Sequence, residues 1–206
     1  MDPLVAEKLE IRETVENWVI WRDSGDWERF KTVWHPDGWM NATWFQGPAE
    51  EFIEVSRDGF NKGVNILHFY GGFSCDVVAD RAIAQTKMTI HQRAPVHAVV
   101  VDVVCTGRMY DFMQKHNGRW VIRRRQPIYE KSRIDPVDPS ATLQLDAKLL
   151  GSFPEGYCHL GYLQSQIGFT VKKGLPGLKG DAVQKVYAEG RAWLAGSEKP
   201  GDPNWA

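Results

Sequence analysis

The chain has 206 residues, a length that suits one domain with an extension or two small domains. A net charge of −1 gives no electrostatic reason to bind nucleic acid, and no apolar run approaches the roughly 20 residues of a membrane span. The three cysteines lack CxxC spacing, so neither a disulfide framework nor a cysteine zinc site is indicated. The acidic N-terminus does not resemble a secretory signal, and we expect a cytoplasmic protein that does not contact membranes.

The order of predicted elements is typical of an α+β domain. Apolar residues repeat with helical spacing in four segments, and five others alternate or are rich in β-branched residues. The predicted helices cover residues 11–23, 26–34, 49–62 and 181–195, and the predicted strands cover residues 39–45, 65–76, 82–93, 96–110 and 120–129. Turns are expected at residues 35–38, HPDG, and at residues 116–119, HNGR, because proline, glycine and Asn-Gly favour them.

A sheet of long antiparallel strands must curl around the helices to bury one face. We therefore expect a cone-shaped curved antiparallel sheet packed on N-terminal helices over residues 1–133. Residues 134–206 form a C-terminal extension, which should cover the mouth of the cone or a neighbouring subunit. Within it, residues 152–161 read as irregular and residues 196–206 as a loose tail.

His68 stands at the head of a strand that Gly71 and Gly72 should allow to bend. Asp23 closes the first predicted helix. A carboxylate that contacts an imidazole fixes its tautomer and makes it a general base, so this pair is a candidate catalytic dyad if the two residues meet. The spacing also allows a plainer interpretation, in which His68 is a satisfied interior histidine and the DSGD segment only caps a helix.

Aromatic residues are the candidate walls of a small-molecule site. Six of the nine tryptophans fall within the first 44 residues, which indicates either a large aromatic core or a pocket for an aromatic ligand. The candidate substrate-binding residues are Trp44, Tyr70, His91, Tyr110 and Tyr129. No cofactor motif is present, and His68 with His91 lacks a carboxylate at ligand spacing, so neither a cofactor nor a metal is expected.

Several motifs together resemble the SnoaL-like branch of the nuclear transport factor 2-like superfamily. They are WRDSGDWERFKTVWHPDG, the Gly47-Pro48 pair, LHFYGG and NGRWVIRRR, and they span roughly residues 4–129. Scytalone dehydratase, hexachlorocyclohexane dehydrochlorinase and steroid isomerases share this cone-shaped fold. The resemblance implies that Asp23 and His68 form the dyad and that Arg124 stabilises an oxyanion, with its neighbouring arginines on the opposite face.

The segment YEKSRIDPVDP resembles aromatic-degrading members of this branch, including lignin-derived diarylpropane lyases. The resemblance implies a cofactor-independent lyase for an aromatic alcohol, which could deformylate a diarylpropane diol to a stilbene. It also implies a homo-oligomer, with a trimer favoured. The alternatives are a dehydratase or isomerase of a polyketide- or steroid-like substrate and a non-catalytic protein that binds a small ligand.

Overall fold

A computed structural model of the protein describes residues 2–201. Its helices are α1 (Pro3–Ser24), α2 (Trp27–Lys31), α3 (Ala49–Asn61), α4 (Ala147–Leu150), α5 (Cys158–Gln166) and α6 (Asp181–Leu194), with a 3₁₀ turn at Glu155–Tyr157. Its strands are β1 (Trp34–Asn41), β2 (Gln46–Pro48), β3 (Asn65–Val78), β4 (Arg81–Val96), β5 (Val99–His116) and β6 (Arg119–Pro136).

The first helix begins earlier than its apolar pattern predicts. The Asp2 carboxylate accepts a hydrogen bond from the Leu4 backbone N–H, and Pro3 occupies the first turn, where its missing N–H costs nothing. Gly25 ends the helix in the left-handed conformation, with a φ of 75°. This end point places Asp23 in the last turn, facing the sheet.

The α+β fold prediction is confirmed. The strands form one curved sheet in the order β2-β1-β6-β5-β4-β3. All pairs are antiparallel except β1 with β6, which is parallel. The register of β3 against β4 shifts between Tyr70 and Phe73, so the Gly71-Gly72 pair does bend the strand as predicted.

Two local predictions are wrong. Residues 35–38 belong to β1 instead of forming a turn, and the irregularity that Pro36 and Gly38 cause lies between the paired positions Trp34 and Trp39. Residues 152–161 are not irregular throughout, since they include the 3₁₀ turn and the start of α5. Pro36 and Asp37 are exposed, whereas the second segment packs in the inner cluster through Phe153, Tyr157 and Leu160.

The two faces of the sheet have different partners. The inner face packs on α1 and α3 at one end and on α5 at the other, while α6 covers part of the outer face. Val101 and Val103 are fully buried on the inner face. Their outward neighbour Val100 is 49 % exposed.

The extension packs against both faces of the sheet. Leu160 of α5 lies in the inner apolar cluster and Val186 of α6 in the outer one. Strand β6 runs to Pro136, past the boundary expected at residue 133, and the division of the chain into two parts stays a prediction. Of the predicted loose tail, Pro200 is buried and its carbonyl accepts a hydrogen bond from Arg124, while residues 202–206 lie outside the described residues.

Over residues 2–201, none of the helices has the length and apolar character that crossing a membrane requires.

Candidate active site

Asp23 and His68 meet at the inner face of the sheet. Asp23 Oδ1 lies 2.9 Å from His68 Nδ1, and the His68 backbone N–H donates to Asp23 Oδ2 at 2.6 Å. Their side chains are 11 % and 8 % exposed. Arg22 reinforces the carboxylate with its Nη1 atom, 3.2 Å from Asp23 Oδ1. The end of α1 and the head of β3 therefore hold one preorganised pair.

The surroundings favour an ionised Asp23 and a neutral His68. Burial tends to raise the pKa of Asp23, but the charge and hydrogen bonds of His68, with the charge of Arg22, outweigh it and lower that pKa. Burial lowers the pKa of His68, and the Asp23 charge only partly offsets this effect. The ionised Asp23 carboxylate can only accept a hydrogen bond, so the proton of neutral His68 lies on Nδ1. The lone pair on Nε2 is then available as a base.

A narrow cavity of about 30 Å³ adjoins the pair. Its walls combine apolar groups with a few polar ones, which is typical of small-molecule sites. The Trp18 ring meets His68 edge to face, with centroids 5.3 Å apart. The wall includes Trp18, Arg22, Trp44, Gln92, Tyr129 and Gln164.

Three of the predicted binding residues lie on the inner face. Trp44 and Tyr129 line the cavity. Tyr70 lies next to it, and its hydroxyl accepts a hydrogen bond from Arg125 Nη1 at 2.9 Å. Burial raises the pKa of Tyr70, so this phenol stays protonated.

The structure places the other three predicted residues on the outer face. Arg124 donates to Glu189 of α6 at 2.7 Å and lies over the Phe112 ring, so it cannot reach His68. Tyr110 packs in the same outer cluster under α6. His91 pairs with Leu67, whereas the cavity-lining Ile90 pairs with His68, so strand alternation turns His91 outward.

Sequence reasoning missed the inner arginine. Arg125 Nε and Nη2 donate to the two oxygens of Asp111 at 2.7 Å each, and both side chains are fully buried. Arg125 also lies over the Trp18 ring, 4.4 Å from its centroid. The two residues are direct cross-strand partners in β5 and β6, a signal that a correct strand register would have provided.

Two buried glutamines were also missed. Gln92 of β4 and Gln164 of α5 line the cavity and are hydrogen-bonded to each other at 3.1 Å. They are 72 positions apart, and no local pattern connects them. Within residues 2–201, no group of three or more histidine, cysteine, aspartate or glutamate side chains is arranged to hold a metal ion.

Comparison with known proteins identifies one family and several fungal relatives. Residues 4–126 match the SnoaL-like domain. The chain is 34 % identical over 208 residues to pea pathogenicity protein 2 of Fusarium vanettenii, covering 96 % of this chain and 89 % of that one. It is 33 % identical over 213 residues to the uncharacterized protein AN9274 of Emericella nidulans, covering 96 % and 90 %.

Solved structures share the fold at low sequence identity. A protein of Novosphingobium aromaticivorans proposed to be a scytalone dehydratase has a TM-score of 0.55 and 15 % identity, covering 69 % of this chain and 99 % of that one. A type 2 hexachlorocyclohexane dehydrochlorinase has a TM-score of 0.50 and 11 % identity, covering 70 % and 97 %. These likenesses concern the fold alone.

Proposed function

This chain belongs to the SnoaL-like domain family, and we propose that it is a cofactor-independent lyase in which His68 and Asp23 act on an aromatic alcohol. The observation that carries this proposal is the contact of Asp23 with both the ring and the backbone of His68, beside a narrow cavity. The family includes cofactor-independent dehydratases and isomerases. The dyad supplies the proton transfers that such reactions need.

In the simpler form of the reaction, the substrate loses water. His68 Nε2 takes a proton from carbon, and the Asp23 carboxylate stabilises the resulting imidazolium. The hydroxyl on the adjacent carbon leaves as the double bond forms, and it receives the proton from His68. General acid-base catalysis of this kind contributes about 10² to 10⁴ in rate.

In the diarylpropane form, the substrate loses both water and formaldehyde. Loss of the benzylic hydroxyl with the proton of a phenol on the same ring gives water and a quinone-methide-like intermediate. A base then takes the proton of the terminal hydroxyl, the carbon–carbon bond breaks to release formaldehyde, and its electrons form the stilbene double bond while the quinone-methide oxygen takes up a proton and becomes a phenol again. The products are one stilbene, one water and one formaldehyde for each diol, and we assign the transfer of these protons to His68.

The aromatic wall supports an aromatic substrate, but the cavity must widen to admit one. Trp18 and Trp44 offer ring faces and edges to a bound aryl group. A volume of about 30 Å³ is too small for a benzene ring. Trp44 contacts Phe169, just after α5, with ring centroids 5.1 Å apart, and this contact is the part of the wall that we expect to open.

The alternatives are a dehydratase or isomerase of a polyketide- or steroid-like substrate and a non-catalytic protein that binds a small ligand. The same dyad could serve the first of these. The second predicts that the wild type binds a small ligand without converting it, so that substitution of His68 removes no activity. The word pathogenicity in the name of the Fusarium relative specifies no reaction.

The test is to incubate chelator-treated protein with a racemic lignin-type diarylpropane diol and to measure formaldehyde and the stilbene absorbance together. His68→Ala should abolish both products, and His91→Ala is the matched control because that histidine faces away from the cavity. Equal product formation by wild type and His68→Ala would overturn the role of the dyad. The same experiment with β-hydroxy ketones and secondary aryl alcohols separates deformylation from simple dehydration, and no turnover of any of them would overturn the lyase proposal.

A further inference from the structure

The cavity has more hydrogen-bond donors than acceptors. Three of its lining residues have a buried side-chain nitrogen with no hydrogen-bond partner among the described residues: Trp18 Nε1, Arg22 Nε and Gln92 Nε2. Over the same residues, no buried side-chain oxygen in the cavity wall lacks a partner. Buried polar groups are normally satisfied, so this imbalance indicates a ligand that brings acceptor atoms.

A chain of hydrogen bonds shows which end of the Gln92 amide already has a partner. The Thr43 hydroxyl donates to Gln164 Oε1 at 2.6 Å, and Gln164 Nε2 donates to Gln92 Oε1 at 3.1 Å. The Tyr129 hydroxyl interacts in turn with the backbone and side chain of Thr43. Because each link uses a defined donor and acceptor, the carbonyl end of Gln92 is occupied and its N–H₂ end remains for a ligand.

Gln92 lies close to the base. On the inner face, His68 pairs with Ile90 and Ile66 pairs with Gln92, so Gln92 is one pleat repeat from the position opposite His68. Such diagonal neighbours are about 7 to 8 Å apart. One aromatic substrate can span this separation, with its ketone or phenol oxygen at Gln92 and its reacting carbon at His68. Gln92 is only 1 % exposed, so a hydrogen bond there competes with little water.

We propose that Gln92 is a specificity-determining residue that donates from Nε2 to an oxygen conjugated with the reacting carbon, and that Gln164 is the residue that positions it. This inference rests on the proposed function and narrows its substrates to aromatic compounds with a carbonyl or phenolic oxygen in conjugation. Such an oxygen gains negative charge as His68 removes a proton, or as a quinone methide collapses. A donor fixed beforehand therefore binds the transition state more strongly than the ground state.

The test measures binding of unreactive probes, which separates it from the test of the lyase. The probes are 4-methoxyacetophenone and 4-ethylanisole, which differ only by a carbonyl in place of a methylene. Quenching of tryptophan fluorescence gives both dissociation constants, since Trp18 and Trp44 line the site. Wild type should bind the ketone about 3- to 10-fold more tightly, the range expected for one net hydrogen bond.

Gln92→Leu removes the donor, so the ratio of the 4-ethylanisole dissociation constant to the 4-methoxyacetophenone dissociation constant should fall to about one, while affinity for the ethyl probe stays within about twofold. Gln92→Met, which also lacks the donor, is the second variant if the first does not fold, and the same fall in the ratio is expected. Gln164→Leu should lower the ratio without weakening the ethyl probe, whereas a merely structural role would weaken both probes equally.

The control is Gln126→Leu, because Gln126 is a fully buried glutamine on the outer face of β6 that interacts with Arg124. It should leave the ratio unchanged. Equal binding of the two probes by wild type, no binding of either, or an unchanged ratio in a folded Gln92→Leu or Gln92→Met variant would each overturn the inference. None of these results would contradict a lyase that depends on His68, since product formation is measured separately.

Discussion

Asp23 accepts two hydrogen bonds from His68, one from the ring and one from the backbone, at 2.9 and 2.6 Å. The backbone bond fixes the carboxylate relative to β3, and the ring bond fixes the imidazole relative to the carboxylate. Neither group can turn without losing a partner inside a largely buried site. The Asp23–His68 pair therefore links α1 to β3, in addition to the catalytic role that we propose for it.

Asp23→Asn should reduce turnover by about 10² to 10⁴. An asparagine has one acceptor oxygen in place of two, so it cannot accept from both the ring and the backbone of His68, and the correct tautomer is no longer enforced. The measurement is kcat with the best substrate from the product assay. Asp26→Asn is the matched control, because Asp26 caps α2 and forms an exposed ion pair with Arg29. A kcat for Asp23→Asn within threefold of wild type would contradict this role.

The dependence of kcat/KM on pH should report His68. Its pKa lies below the ordinary 6.5, chiefly because of burial, so the neutral base persists to lower pH and the acidic limb of the profile should fall below 6.5. The Asp23 charge raises this pKa, so Asp23→Asn should move the limb to still lower pH. An acidic limb above pH 6.5 would contradict the assignment.

The free energy of unfolding should also fall at low pH because of His68. The unfolded chain takes up the proton near pH 6.5 and the folded chain only at lower pH, so the contribution of His68 to stability is present above pH 6.5 and is lost as the pH falls.

Asp111→Ala should destabilise the fold by about 3 to 5 kcal/mol, because it leaves the fully buried Arg125 without its carboxylate. Chemical denaturation provides the measurement. The matched control is Asp102→Ala. Asp102 forms the same two-bonded contact with Arg93, at 2.7 and 2.6 Å, but on the exposed surface, where ion pairs contribute little. Equal losses in the two variants would show that burial does not determine the cost.

The sequence predicted the order of elements from α1 to β6, except for the short strand β2, and the contact of Asp23 with His68, but it assigned the wrong arginine to the cavity. In most strands an alternation of apolar and polar residues distinguishes the two faces. In β6 it does not, because the inner helices cover one face and α6 covers the other, and Arg124 and Arg125 are both fully buried. Only the carboxylates that bind them, Glu189 and Asp111, distinguish the faces. Glu189 is 65 positions from Arg124, and Asp111, 14 positions from Arg125, becomes its neighbour only in the correct strand register.

Phe169→Ala should speed ligand entry. Phe169 contacts Trp44, and the cavity behind this contact is too small for an aromatic ring, so removing the phenyl group should lower the barrier to opening. Stopped-flow quenching of tryptophan fluorescence by 4-methoxyacetophenone should show a larger association rate constant. Phe153→Ala is the control, because that ring packs against Gly161 elsewhere in the extension. An unchanged association rate in Phe169→Ala would place the entrance elsewhere.

The outer face of β3 should form a subunit contact, and we propose a homotrimer. Leu67 and Phe69 are 54 % and 68 % exposed on this edge strand, and exposed apolar side chains of this kind mark interaction surfaces. Light scattering after size exclusion should give three chains per particle. Replacement of Leu67 and Phe69 by lysine should reduce the particle to one chain, and the same change at Leu4 and Leu9, exposed on α1, should not. A monomeric wild type would refute the proposal.

The cavity shows what local sequence patterns cannot reveal. Gln92 and Gln164 look like ordinary polar residues of a strand and a helix, and each could have been exposed. Only the folding of the extension over the inner face brings them together and excludes water from both. The DSGD and LHFYGG motifs marked the dyad, whereas the groups that would select the substrate carry no motif of their own.

Arg124 and Arg125, adjacent in β6, also help to specify the register of this strand. A slip of one residue would turn Arg124 toward the aromatic interior and Arg125 toward α6, and each guanidinium would then be buried away from Glu189 or Asp111. An apolar pair at these positions would tolerate that slip, since both faces are covered. The cost of burying two arginines without their carboxylates therefore disfavours the slipped register, in which the site would not form.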